Sequence, residues 1–143
     1  IQRLDSHRSM TLSLLDYRGE GQFSITGQHE EMLILRNDGV VERVDTVGLG
    51  MPLALDLEIE PFLASVELQL APGECLLLHT DGISEAENPA RELYGLDRLA
   101  AIALQHRQLG AEAMVQAIIA DVEAFMGSQV VFDDITLMVI KRR

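Results

Sequence analysis

Glu74-Cys75-Leu76-Leu77-Leu78-His79-Thr80-Asp81-Gly82-Ile83-Ser84-Glu85 is a short apolar run that stops abruptly at Thr-Asp-Gly and is followed by a second acid. Entered through Pro72-Gly73 and left through Asp81-Gly82, a run of this length reads as a strand buried on both faces, with a carboxylate at its exit. Phe132-Asp133-Asp134-Ile135-Thr136-Leu137-Met138-Val139-Ile140 has the mirror order, with acids at the entrance of an apolar strand. Antiparallel neighbours bring the exit of one strand and the entrance of the other to the same end of a sheet. Asp81 is therefore expected to meet Asp133 or Asp134.

Two carboxylates gathered at one end of a buried sheet repel each other and lose hydration, unless a cation or a proton relieves the repulsion. A divalent ion is the natural relief. Oxygen-only donors favour Mg²⁺, Mn²⁺ or Ca²⁺, and nothing in the sequence has the Cys/His spacing of a zinc site. Each motif taken alone also reads as plain structure, a turn Asp at Asp81-Gly82 and a strand-start pair at Asp133-Asp134.

Three stretches in order carry a resemblance: Thr80-Asp81-Gly82-Ile83-Ser84-Glu85-Ala86, Tyr94-Gly95-Leu96-Asp97-Arg98-Leu99 and Asp133-Asp134-Ile135-Thr136-Leu137. Together they resemble the C-terminal signature of metal-dependent protein serine/threonine phosphatases, the protein phosphatase 2C (PPM) group, and within it the bacterial SpoIIE/RsbU-like branch. Met10-Thr11-Leu12-Ser13-Leu14-Leu15-Asp16, Thr26-Gly27-Gln28-His29-Glu30-Glu31 and Leu70-Ala71-Pro72-Gly73-Glu74 sit where that branch has comparable elements, so the resemblance spans essentially the whole chain.

At 143 residues and 48% hydrophobic, the chain is long enough for one compact domain with its own core. Eleven Lys and Arg against twenty-three Asp and Glu give a net charge of −12. That excess argues against a nucleic-acid or anionic-membrane partner, which needs a basic face. The single cysteine, Cys75, lies inside the proposed buried strand and reads as a small core hydrophobe. No run has the length of a membrane span and no signal-peptide pattern is present, so a soluble, cytoplasmic protein is expected. The opening residues, from Ile1 to Arg8, lead almost at once into a strand, as if a larger domain had been cut.

Residues 9–17 read as a strand and Arg18-Gly19-Glu20-Gly21 as a hairpin turn. Residues 22–26 and 32–35 read as strands, and Asn37-Asp38-Gly39 as a tight turn returning through 40–44, which predicts an antiparallel meander. Asp38 is assigned to its turn and His29 to a structural loop. The two glycines of Thr46-Val47-Gly48-Leu49-Gly50 lack the strand-to-helix context and Lys of a phosphate loop, so the segment reads as a loop packed on the sheet. Over 62–70, Ser65, Glu67 and Gln69 alternate with Ala64, Val66, Leu68 and Leu70, the pattern of a half-buried strand, with Leu63 the exception on the polar face. Apolar stripes predict helices over 92–108 (Leu96, Leu99, Ile102, Ala103) and 111–125 (Met114, Ala117, Ile118, Val122, Phe125), stopped by Gly110 and Gly127. The expected fold class is α+β, and the resemblance implies the family's antiparallel β-sandwich flanked by helices, with its N-terminal part outside this chain.

The resemblance implies a centre of two Mn²⁺ or Mg²⁺ ions held by carboxylates, with Asp81 and Asp133 as ligands. Strand alternation puts Asp133 on the face of Ile135 and Leu137 and turns Asp134 away. Asp134, Glu85 and Thr136 are then supporting candidates. The family's early Gly-Asp and Asp-x-x-Gly-His-Gly motifs do not occur in the sequence. The ligand set is therefore expected to be incomplete, and the chain to be a partial, C-terminal phosphatase domain over 1–143. The implied function is hydrolysis of phosphoserine or phosphothreonine on a protein, typically a phosphorylated anti-sigma-factor antagonist in bacterial partner switching. The alternative is a catalytically inactive binding or regulatory module. Sheet edges left open by the missing part are expected to favour a homodimer. A simple acidic Ca²⁺ binder is disfavoured, since the sequence lacks the dense ligand loop of an EF-hand.

Overall fold

A computed structural model describes residues 9–56, 58–129 and 133–143. The opening eight residues and Phe132, both part of the reading above, lie outside the described residues. The chain divides into two compact units, Ile1–Glu31 with Asp45–Leu70, and Met32–Val44 with Ala71–Arg143. Each carries one antiparallel sheet.

In the first unit β1 (Leu14–Gly19), β2 (Gln22–Thr26) and β5 (Ser65–Gln69) form a sheet in the order β1-β2-β5. The β1–β2 hairpin closes through Gly19, Glu20 and Gly21, all at positive φ. Along β5 the expected alternation holds, with Ser65, Glu67 and Gln69 exposed and Leu68 buried. The first strand is shorter than 9–17 because its early residues pair elsewhere. Met10 bridges Leu53, and the Leu12 N–H donates to the Gln28 carbonyl. The 46–55 loop is pinned by the Leu49 carbonyl, which accepts the N–H groups of Gly27 and Ala64. His29 is tied into the same unit, its ring Nδ1 2.9 Å from the Thr11 hydroxyl and its N–H donating to Thr46 Oγ1, as a structural loop histidine should be.

In the second unit β3 (Met32–Leu35), β4 (Val41–Val44), β6 (Cys75–His79) and β7 (Leu137–Lys141) form a sheet in the order β4-β3-β6-β7. The predicted meander is thus corrected. Both hairpins form, but β2 pairs onward with β5 and β3 with β6, in separate sheets. Leu33, Leu35, Cys75 and Leu77 on one sheet face share a core with Leu99 and Ala103 of α2 (Gly95–Gln105) and with Met114, Ile118 and Val122 of α3 (Ala111–Met126). Leu33, Leu77, Leu99, Met114 and Ile118 are among the fully buried side chains of that core, each contributing about 1.5–3 kcal/mol. Cys75 is one of this core's small members, and burial pushes its thiol pKa up. Helix α2 starts later than 92 because Glu87 and Leu93 bridge to close the preceding loop.

Glu74 marks the start of β6 and is almost completely buried. Burial works against its ionisation, but the Ala71 N–H, the Arg36 guanidinium and the Asn37 N–H outweigh it and hold its pKa below the ordinary value. These partners lie 2.9, 2.8 and 3.3 Å away respectively. A lowered folded-state pKa means that the unfolded chain takes the proton first. The stabilisation is therefore complete above the usual Glu range and disappears as pH falls through the folded value. Glu74→Gln is expected to cost about 2 kcal/mol near neutrality. The Tm gap between parent and variant should narrow steadily on acidification below about pH 4.5; a gap independent of pH would contradict the assignment.

Candidate functional site

β6 and β7 are antiparallel neighbours in the register Cys75↔Lys141 to His79↔Leu137. The exit of β6 and the approach to β7 therefore lie at one end of the sheet. Thr80 fastens them together: its N–H donates to the Thr136 carbonyl at 3.1 Å, and its hydroxyl donates to the Asp134 carbonyl at 2.8 Å while accepting the Thr136 N–H at 3.0 Å. A hydroxyl has one proton and two lone pairs, so it can fill both roles at once.

After Thr80 the chain does not continue as a strand. Asp81 is the first residue of the one-turn helix α1 (Asp81–Ser84), and its carbonyl accepts the Glu85 N–H at 2.8 Å and the Ser84 hydroxyl at 3.2 Å. Gly82, the next residue, lies directly under the incoming chain. A Cβ placed there would stand 2.5 Å from the Asp134 carbonyl oxygen and 3.4 Å from that of Asp133. The Thr-Asp-Gly and Asp-Asp segments thus touch through backbone, as their mirror order predicts.

The structure does not separate Asp133 from Asp134 by strand alternation. β7 begins at Leu137, and residues 133–136 are not in the ladder, so strand alternation does not reach the two acids. Both are exposed, Asp81 is half-buried, and one Asp133 carboxylate oxygen accepts the Asp134 N–H at 2.7 Å. Asp134 enters the junction through its carbonyl and Thr136 through its backbone. Glu85 is exposed and ends α1. His79 is buried, with Nδ1 3.0 Å from the Thr80 carbonyl and Nε2 without a partner among the described residues. The sequence reading missed Thr80 and Gly82 as working parts of the junction, although both stand in the Thr-Asp-Gly triplet.

Carboxylate oxygens suit a hard divalent ion. Among the described residues, however, no group of three or more His, Cys, Asp or Glu converges in a way that would hold one. The donors present fit part of a ligand set. Among the described residues no helix is long and apolar enough to cross a membrane.

Two antiparallel sheets with helices after the central strand, and acids at the junction of β6 and β7, define a domain of the protein phosphatase 2C type. The family profile described as Stage II sporulation protein E (SpoIIE) matches residues 1–143, and the chain belongs to that family. Among curated relatives, Protein IcfG of Synechocystis is 28% identical over 120 residues, covering 82% of this chain and 18% of the relative. Among solved structures, the SiaA-PP2C domain of Pseudomonas aeruginosa superposes with a TM-score of 0.71 at 21% identity, covering 87% of this chain and 48% of that one. The phosphatase domain of SpoIIE from Bacillus subtilis gives 0.61 at 18% identity, with 95% and 57% covered. These likenesses are of fold, and the chain spans about half of each solved domain and less than a fifth of the curated relative.

Proposed function

We propose that this chain is the C-terminal portion, over residues 1–143, of a metal-dependent phosphatase domain that hydrolyses phosphoserine or phosphothreonine on a protein in bacterial signalling. One observation carries the reading: the junction at which Thr80 and Gly82, the residues on either side of Asp81, meet the Asp133-Asp134 segment. Membership of the SpoIIE family and the description of a B. subtilis relative as presoaked with Mn support it.

Asp81 and Asp133 are the residues that would hold Mn²⁺ or Mg²⁺, together with ligands supplied from outside these residues. Such ions, when bound, supply an activated water and neutralise phosphoryl oxygens. The chain's own residues fix the geometry. Thr80 sets the spacing between the acid-bearing segments, Gly82 allows their backbones to touch, and the hydrogen bond from the Asp134 N–H orients the Asp133 carboxylate. Glu85 and Thr136 border the same end. The partner is a phosphorylated protein, of which an anti-sigma-factor antagonist is the proposed type, and the proposed location is the cytoplasm.

The test is hydrolysis of a small phosphoryl ester in Mn²⁺ by this chain and by a version extended upstream through the family's early acidic motifs. Activity confined to the extended protein is the expected result. Inactivity of both would favour the alternative, a phosphatase-like binding module.

A further inference from the structure

We infer that Tyr94 and Arg98 are positioning residues, which hold the Asp81-bearing turn in place by fastening the loop downstream of it to helix α3. The inference rests on the assignment of Asp81 above.

Tyr94 and Arg98 belong to a signature stretch for which the acidic junction provides no role. Their functional groups are instead consumed in a cluster with α3. The Tyr94 hydroxyl donates to Asp121 Oδ2 at 2.7 Å, Arg98 Nε donates to the same oxygen at 2.8 Å, and Nη2 donates to Oδ1 at 3.0 Å. The Arg98 guanidinium also sits 5.2 Å from the Tyr94 ring centroid and 4.7 Å from that of Phe125, and the two rings meet edge to face at 5.3 Å. A fork-shaped bidentate pair seated on two aromatic faces is a rigid connection.

From this cluster backbone hydrogen bonds lead into the turn that carries Asp81. The Tyr94 N–H donates to the Ala86 carbonyl at 2.8 Å, Ala86 N–H to Ile83, Ile83 N–H to Thr80, and Glu85 N–H to Asp81. The intervening loop cannot slacken easily. Asn88 Oδ1 accepts the N–H groups of Ala90 and Glu92, its N–H donates to the Glu92 carbonyl, and Glu87 bridges Leu93. Ile83, Ala86 and Tyr94 are buried in one core with residues of α2 and α3. A four-residue helix has too few internal bonds to hold its own conformation, so its geometry depends on what clamps its far end.

Tyr94→Phe keeps the ring and its contact with Phe125 and removes only the bond to Asp121; Asp121→Asn is the second variant, weakening the Arg98 pair without changing shape. Amide hydrogen exchange is to be followed in the chain without metal, far below its Tm. Exchange at Ile83 and Glu85 is expected to accelerate about fivefold in either variant, while Leu77 in β6 is unchanged. In the upstream-extended protein, the Mn²⁺ concentration that half-saturates binding, read by electron paramagnetic resonance, is expected to rise several-fold for Tyr94→Phe. Unchanged exchange, or equal acceleration at Leu77, overturns the inference, since a merely stabilising cluster loosens the core as a whole. Failure of the phosphatase assignment would show separately, as absence of Mn²⁺ binding by the unsubstituted extended protein, and leaves the exchange result standing.

Discussion

Asp81→Asn is expected to lower Mn²⁺-dependent hydrolysis by the upstream-extended protein at least about a hundredfold, with little change in Tm. Substitutions that act only on the orientation of a metal ligand already cost about ten- to a hundredfold, and this one removes the charge of the ligand itself. The amide is nearly isosteric, and what Asp81 gives to the fold comes from its backbone: its carbonyl accepts from Glu85 and Ser84 whichever side chain is present. Without metal, removing one negative charge from the sheet end that also carries Asp133 and Asp134 should relieve repulsion if anything, so Tm should stay level or rise slightly. Activity and melting temperature thus move independently. Turnover equal to that of the parent would sink the assignment of Asp81, whatever the fold. Asp133→Asn should follow Asp81→Asn in activity, whereas Asp134→Asn should cost less, because Asp134 serves the junction through its carbonyl and N–H.

The legible part of this fold was the part encoded in adjacent residues. The apolar run before Thr-Asp-Gly, its mirror before the chain's end and helical stripes such as Met114, Ile118 and Val122 each carry their period in a few nearby positions. The division of the meander was not legible. β1–β2 and β3–β4 are equally good hairpins locally, and only their distant partners, β5 and β6, place them in different sheets. The selection of Asp133 failed as an argument for a related reason. It extended strand alternation across 133–136, where the Thr80 hydroxyl takes the Asp134 carbonyl and the ladder has not begun. The stretch from Tyr94 to Arg98 was visible as a signature but silent about its role, because the residue that explains it, Asp121, lies on another helix.

Gly82→Ala is expected to destabilise the chain by about 2–4 kcal/mol, and to lower Mn²⁺ affinity in the extended protein although no carboxylate is removed. In an exposed helix the same change would stabilise by about 0.5–1 kcal/mol, since alanine has less backbone freedom to lose. The surroundings of Gly82 reverse the sign. The new methyl would meet the Asp134 carbonyl oxygen at 2.5 Å and its carbon at 3.0 Å, and both are backbone atoms that no rotamer change can withdraw. Either α1 or the 133–134 segment must move. Movement of the segment breaks the bond from the Thr80 hydroxyl to the Asp134 carbonyl and weakens the one from the Thr136 N–H, at about 1 kcal/mol each. The predicted cost corresponds to a fall in Tm of about 5–15 °C. Gly48→Ala is the matched control, because a Cβ there meets nothing within 4 Å, and it should leave Tm nearly unchanged. If Gly82→Ala melted with the parent, the two acidic segments could not be packed backbone to backbone, and the junction on which the pairing of Asp81 with Asp133 was proposed would fall with it. If it melted low and bound Mn²⁺ weakly, the glycine of Thr-Asp-Gly would owe its place to the close approach of another chain segment and not to the turn that an Asp-Gly pair ordinarily signals.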